Sequence, residues 1–224
     1  MSTRARVRTR VPLPLRRQNG LDAQAELITF TGLVDAGEHF ALVLADALEQ
    51  IAPLVRVHSE CLTGDVLGSA RCDCGPQLQE CLDLMSDHGG VVLYLRQEGR
   101  GIGLYNKIDA YRLQDEGLDT FEANRALDLP EDARDFHVAA QMLEALGVTA
   151  VDLLTNNPDK TQQLAQSGIR VRRVRGTSAH LTLHNRRYLT SKVERGHRLN
   201  LVDRPVDLRL VSGPIRATVP PAAL

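Results

Sequence analysis

Apolar residues gather in short runs along the chain, separated by polar or glycine-rich stretches. Residues 25–33, 39–45 and 54–58 are rich in branched and apolar side chains and predict strands. Residues 91–95 are a continuous apolar run of strand length, which fits a strand buried on both faces, and residues 151–154 read as another short buried strand. Between them the period becomes helical. Over residues 76–88, Leu78, Cys81, Leu82 and Met85 share one face, Pro76 suits the first helical position, and Gly89 and Gly90 close the helix. Residues 106–116 read as a helix. So do residues 132–146, capped by Asp132, with Phe136, Ala139, Ala140, Leu143 and Leu146 at helical spacing. Pro158 starts a helix that runs to Gln166, with Gly168 beyond its end, and residues 184–198 form a last, polar helix. Strands alternating with helices indicate an α/β or α+β fold, and no internal repeat interrupts it.

The two ends of the chain read differently. Residues 1–20 carry Arg4, Arg6, Arg8, Arg10, Arg16 and Arg17 with no acidic residue, the composition of a basic, flexible, solvated arm. The alternative is an arm that packs on a partner subunit or an anionic ligand. Residues 201–224 form a C-terminal tail that is Pro- and Ala-rich from Val211 onward and is expected to fray.

Length and charge narrow the function. A chain of 224 residues supports one ordinary domain or two small ones. With 27 basic against 28 acidic residues, it lacks the strong positive charge expected of a nucleic-acid binder. No apolar run approaches the roughly 20 residues that cross a bilayer, and no charged-then-apolar leader opens the chain. A soluble, cytoplasmic protein without a membrane partner is expected. Of the 27 basic residues only three are lysines, Lys107, Lys160 and Lys192. In so Arg-rich a chain, each Lys hints at a position that wants a compact point charge.

The cysteines carry the sharpest signal. Cys61, Cys72, Cys74 and Cys81 cluster in a chain large enough for its own core, which argues for a metal site in a reducing compartment rather than for disulfides. Cys61 followed after ten residues by Cys72-Asp73-Cys74 offers three thiolates without a fourth ligand, the pattern of a catalytic zinc with an open position. Cys81 lies on the apolar face of its helix and reads as core. A three-thiolate zinc acidifies water weakly, so a general base is expected nearby, with Glu60, Glu98 and Asp132 as candidates.

Three segments suit an anion. The loop from Glu98 to Gly103 has glycine at alternate positions around Arg100, although it is not a dinucleotide fingerprint. Thr155 to Lys160 sets a helix N-terminus directly after a strand, with Lys160 in the first turn. Asp132-x-Arg134 puts a cation in what reads as a first helical turn, where its partner is either a neighbouring aspartate or a ligand phosphate. Zinc and phosphate sites together suggest hydrolysis of a phosphorylated substrate.

Beyond these features, Arg56-Val57-His58-Ser59-Glu60-Cys61-Leu62-Thr63-Gly64-Asp65 and Arg71-Cys72-Asp73-Cys74-Gly75 resemble the GTP cyclohydrolase II family. So do Arg96-Gln97-Glu98-Gly99-Arg100-Gly101-Ile102-Gly103-Leu104, Leu113-Gln114-Asp115 and Leu153-Leu154-Thr155-Asn156-Asn157-Pro158, in order between about His39 and His197. The resemblance implies a single catalytic domain over residues 21–200, with a mixed sheet flanked by helices. It implies that GTP is hydrolysed with ring opening, loss of formate and loss of pyrophosphate, starting riboflavin biosynthesis. Cys61, Cys72 and Cys74 would hold Zn2+, whose water attacks C8 of the base. Arg56, Val57, His58, Ser59, Glu60, Gln77, Glu98, Gly99, Arg100, Thr120, Thr155 and Lys160 would bind GTP. Arg134 resembles a proposed nucleophile toward the α-phosphate, Asp132 its proton acceptor, and Tyr111 a residue that assists ring opening. Mg2+ on the triphosphate and a homodimer are implied as well.

The chain departs from the family pattern at Leu127-Asp128-Leu129-Pro130 and at Phe121. Two other readings remain beside the leading one: a paralogue that stops at the formylated pyrimidine intermediate, and a non-catalytic, zinc-stabilised nucleotide-binding subunit.

Overall fold

The computed structural model describes residues 4–17, 22–130, 132–194 and 196–197. Strands β1 (Arg6–Arg16), β2 (Asp22–Thr31), β3 (Phe40–Leu44) and β4 (Leu54–Ser59) come first, then the single turn α1 (Leu62–Asp65) and helix α2 (Cys74–His88). Strand β5 (Gly90–Leu95) is followed by helices α3 (Leu104–Asp115), α4 (Thr120–Ala126) and α5 (His137–Ala145). Strand β6 (Ala150–Leu154), helix α6 (Pro158–Gln166), strand β7 (Arg170–Arg175) and helix α7 (Arg186–Glu194) complete the order.

Among the described residues, seven strands form one sheet in the order β1-β2-β3-β5-β4-β6-β7. Pairing is antiparallel from β1 across to β5 and parallel from β5 through β4 and β6 to β7. The chain leaves β4 for β5 on one side, then passes back beyond β4 to β6 on the other. Such a divergence leaves a crevice past the carboxyl ends of parallel strands. Those ends lead here into Cys61, the Arg96–Gly103 loop and the Thr155–Asn157 turn.

The central strands of the sheet are buried on both faces because helices cover each side. On one face α5 and α6 press Ala139, Ala140, Leu143 and Leu164 onto Val55, Val57, Leu93 and Leu153. On the other, Cys81 and Met85 of α2 meet Leu42, Leu44, Val92 and Leu154. Alternate residues of β5, Val91 and Leu93 against Val92, serve the two clusters in turn, which is why its apolar run is continuous. Aliphatic side chains fill most of the core, although the aromatic Phe136 is the largest fully buried side chain among the described residues.

Two expectations are corrected. The basic N-terminal segment is not a solvated arm over residues 6–16. It is edge strand β1, paired with β2 from Arg6↔Thr31 to Arg16↔Asp22. Leu13 and Leu15 pack on the second cluster, and Arg17 reaches Asp83 and Asp87 of α2 at 3.0 and 3.1 Å. Pro12 and Pro14 are tolerated because an edge strand has one side without ladder bonds. Second, the helix expected from Asp132 begins only at His137. Earlier donors are claimed elsewhere: Ala133 N by Arg100 O (2.9 Å), Arg134 N by Asp132 Oδ1 (3.1 Å) and Phe136 N by Gln163 Oε1 (2.8 Å). The basic run Arg170–Arg175 forms strand β7, whose exposed arginines protect the opposite sheet edge from pairing with other chains. The expected tail at residues 201–224 lies outside the described residues.

Leu93 is fully buried at the centre of the sheet. Leu93→Ala should lower unfolding free energy by about 2–5 kcal/mol, read as a reduced urea midpoint with unchanged slope.

Candidate metal centre and anion pocket

The trio of cysteines converges because the segment after β4 turns sharply. Glu60 N–H bonds Leu95 O at 2.8 Å, which anchors that segment to β5. Asp65 then closes α1, taking Cys61 N–H at 3.0 Å, Tyr94 O–H at 2.8 Å and His58 Nε2 at 3.1 Å. Its side chain is 3% exposed, so this carboxylate fixes Cys61 from inside. Gly64 faces the trio directly. A Cβ there would stand 2.8 Å from Cys72 Sγ and 3.1 Å from Cys61 Sγ, and one on Gly75 would meet Gly64 O at 2.3 Å. Two glycines therefore let the α1 turn and the start of α2 touch, and the three sulfurs lie within 4.8 Å of one another. Cys81 stays in the core cluster.

Charge at this end is organised around Cys61. Hydrogen bonds from Cys72 and Cys74 pull its pKa far below the usual thiol range, helped by Lys107 Nζ at 3.2 Å. The same contact with Cys61 pushes Cys72 up to about 11 and raises Cys74 well above the usual thiol value. Burial opposes the Lys107 charge, but Cys61 and Glu98 outweigh it and raise its pKa. Glu98 accepts from Lys107 at 2.8 Å, from Gly99 N at 2.7 Å and from Leu62 N at 2.6 Å. It braces the loop after β5 against α1. Tyr111 O–H lies 3.4 Å from Thr63 Oγ1, which is itself 3.7 Å from Cys61 Sγ, and burial raises the tyrosine's pKa.

The other end of the pocket is basic. Arg56, on β4, is 6% exposed and its fork bonds Gln77 Oε1 at 2.8 Å and Leu154 O at 3.3 Å, both neutral; its Nε has no hydrogen-bond partner. Lys160, in the first turn of α6, is 5% exposed and donates to Val57 O at 2.7 Å. Burial, then repulsion from Arg56, Arg134 and Lys192, drives its pKa well below the ordinary lysine value. The Phe136 ring lies 5.2 Å from the Lys160 ammonium and 5.4 Å from the Arg134 guanidinium. Thr155 Oγ1 accepts from Asn157 N at 3.0 Å, and Asn157 Oδ1 caps α6 through Asp159 N at 2.9 Å. Cations held by neutral groups call for an anion.

Most residues singled out in the sequence line this one pocket: the three cysteines, Arg56, His58, Ser59 and Glu60, then Gln77, Glu98, Gly99 and Arg100, and Tyr111, Arg134, Thr155 and Lys160. Val57 does not. Its side chain is buried in the core, and only its carbonyl reaches toward the pocket, through Lys160. Asp132 lies behind Arg134, holding the guanidinium. Thr120 begins α4, and its side chain lies outside the described residues. None of the three expected bases is unengaged: Glu60 accepts from Arg96 at 2.9 Å, Glu98 accepts from Lys107, Gly99 N and Leu62 N, and Asp132 pairs with Arg134. Sequence reasoning missed Lys107, Tyr188, Lys192 and His197 as lining residues. The signal for two of them was present, since all three lysines of the chain line this pocket.

Converging thiols beside buried, neutrally partnered cations form the layout that a metal-assisted hydrolase of a phosphorylated substrate needs. Residues 11–175 match the GTP cyclohydrolase II family model. A GTP cyclohydrolase-2 of Vibrio vulnificus is 53% identical over 193 residues, which cover 86% of this chain and 96% of the relative. Its counterpart in Vibrio cholerae is 53% identical over 199 residues, 88% of this chain and 100% of the relative. The riboflavin biosynthesis protein RibBA of Thermotoga maritima is 52% identical over 183 residues, 81% of this chain but 47% of that longer protein. The chain belongs to the GTP cyclohydrolase II family. Among the described residues, no helix is long and apolar enough to cross a membrane.

Gly64→Ala should separate the thiols without unfolding the sheet. Cobalt titration should then show a thiolate charge-transfer band much weaker than wild type's, with far-UV circular dichroism unchanged.

Proposed function

We propose that the chain hydrolyses GTP, opening the imidazole ring and releasing formate and pyrophosphate. The remaining product is 2,5-diamino-6-(5-phosphoribosylamino)pyrimidin-4-one, the starting compound of riboflavin biosynthesis. The observation that carries this reading is one pocket with two chemically distinct ends, a three-thiol cluster and a pair of buried cations with neutral partners.

The thiols fit zinc. Sulfurs around a tetrahedral ion at about 2.3 Å stand about 3.8 Å apart, and Cys61 and Cys72 are already 3.6 Å apart. With Cys81 in the core, three protein ligands leave one position open, as in catalytic zinc sites. Zinc held there supplies the Lewis-acid chemistry for hydrolysis at the guanine ring. Lys107 offsets the negative charge of the thiolates from 3.2 Å. Tyr111, kept protonated by burial near Thr63 and Cys61, is suited to donate to the opening ring. Arg56, Thr155 and Lys160 would hold the phosphates, with Mg2+ on the triphosphate.

Arg134 is read as an electrostatic stabiliser of the α-phosphate. Burial works against its charge, yet Asp132 raises its pKa, and a protonated guanidinium has no lone pair to attack with. Asp132 orients that guanidinium. Val57 contributes its carbonyl, and Gln77 fixes the Arg56 fork. A homodimer, as the family resemblance implies, completes the reading.

The test is GTP turnover by the zinc-loaded protein with formate, pyrophosphate and pyrimidine followed separately. Equal yields of formate and pyrophosphate are expected, and removal of the metal by a chelator should abolish both. Pyrophosphate without formate would indicate a paralogue that stops early. Tight GTP binding without any turnover would replace the enzyme with a nucleotide-binding subunit.

A further inference from the structure

We propose that Lys192 is a further ligand of the substrate's phosphate chain, and that helix α7 forms a wall of the substrate pocket. This rests on the phosphorylated-substrate reading above, and extends it beyond the residues 11–175 that the family model matches.

The segment after β7 is tied to both ends of the pocket. The Asn156 side chain, in the turn after β6, donates to Thr177 O at 3.0 Å and accepts from Thr177 N at 3.1 Å. Thr182 Oγ1 then donates to Ala70 O at 2.9 Å, beside the metal loop. Asn185, fully buried, bonds Thr182 N and His180 O and sets the start of α7. These bonds direct the helix across the pocket, with Tyr188 and Lys192 lining it and Leu189 buried.

Lys192 Nζ lies 4.4 Å from the Tyr188 ring centroid and 2.7 Å from Asp73 Oδ1. Asp73 is fully buried between the cysteines at 72 and 74, and its other oxygen accepts from Gln77 Nε2 at 2.6 Å. Gln77 in turn holds Arg56. Lys192 is thus linked through two side chains to the central pocket cation, and its charge is among those that repel Lys160. An ammonium has three donors. Asp73 takes one, which leaves two for phosphate oxygens. The flexible four-carbon stem lets the charge follow the ligand while Asp73 keeps its base anchored.

The experiment compares wild type, Lys192→Gln and Lys192→Arg for GTP KM, binding of inorganic tripolyphosphate, competition by guanosine, and bound zinc. Lys192→Gln should weaken both GTP and tripolyphosphate on the order of tenfold to a hundredfold, the range for a lost charge-assisted bond. Guanosine competition and zinc content should hold, and Lys192→Arg should recover most of the loss. Equal weakening of guanosine and GTP would overturn the proposal by reducing Lys192 to a brace for α7. Unchanged tripolyphosphate binding would overturn it too. If Lys192→Gln does not fold, Lys192→Arg decides: retained tripolyphosphate affinity supports a cation role, and loss of it refutes one. Weakened tripolyphosphate binding in a protein whose wild type turns over no GTP would uphold Lys192 and reject the GTP reading instead.

Discussion

Arg56 is a buried charge and Lys160 a buried amine whose charged form burial disfavours, and both are hydrogen-bonded only to neutral groups, a glutamine oxygen and two backbone carbonyls. Taking a charge out of water costs several kcal/mol when no opposite charge compensates it. A fold accepts that cost where a ligand brings the missing charge. The sheet topology makes the arrangement possible. Arg56 stands on β4 and Lys160 in the helix that follows β6, and these strands are neighbours on the side where the crossovers diverge. Had β6 been placed at the far edge of the sheet, the two cations would not share a pocket.

The thiol end and the basic end are mechanically joined. Arg56 reaches Asp73 through Gln77, and Asp73 is the residue between two of the thiols. On the other flank, Glu98 ties the loop after β5 to α1 and to Lys107, which contacts Cys61. That loop is locally strained. Gly99 and Arg100 are both left-handed, with φ of 61° and 62°, and the arginine bears a steric cost of about 1–2 kcal/mol that glycine avoids. Ala133 N–H on Arg100 O holds it so, and presents Arg100 to the pocket. A substrate that orders one end therefore meets a site already ordered at the other.

Much of this was legible in the sequence, for identifiable reasons. Residues 91–95 read as a buried strand because the run has no charged residue, and residues 151–154 because Val151, Leu153 and Leu154 outweigh the single Asp152; both strands lie inside the sheet rather than at its edges. The three thiols were legible from spacing, and Cys81 was separable from them because it falls on an apolar helical face. Strand β1 was not legible. Its alternation is masked by arginines and two prolines, and only the packing of Leu13 and Leu15 makes it a strand. The Asp132 segment misled because Asp132 accepts from Arg134 N like a cap, yet the neighbouring N–H groups are taken by residues distant in sequence. Lys107 and Lys192 reach the pocket through tertiary contacts with Glu98 and Asp73, which no local pattern encodes. The rarity of lysine was the one trace of them.

The account turns on a three-sulfur centre with one position open. X-ray absorption at the zinc edge of the purified protein tests it most directly. The account predicts three sulfur neighbours at about 2.3 Å and a shorter oxygen or nitrogen contact. Four sulfurs would bring Cys81 or another chain into a closed structural site, and zinc without sulfur neighbours would remove the metal from the cysteines altogether. Either result would contradict the account.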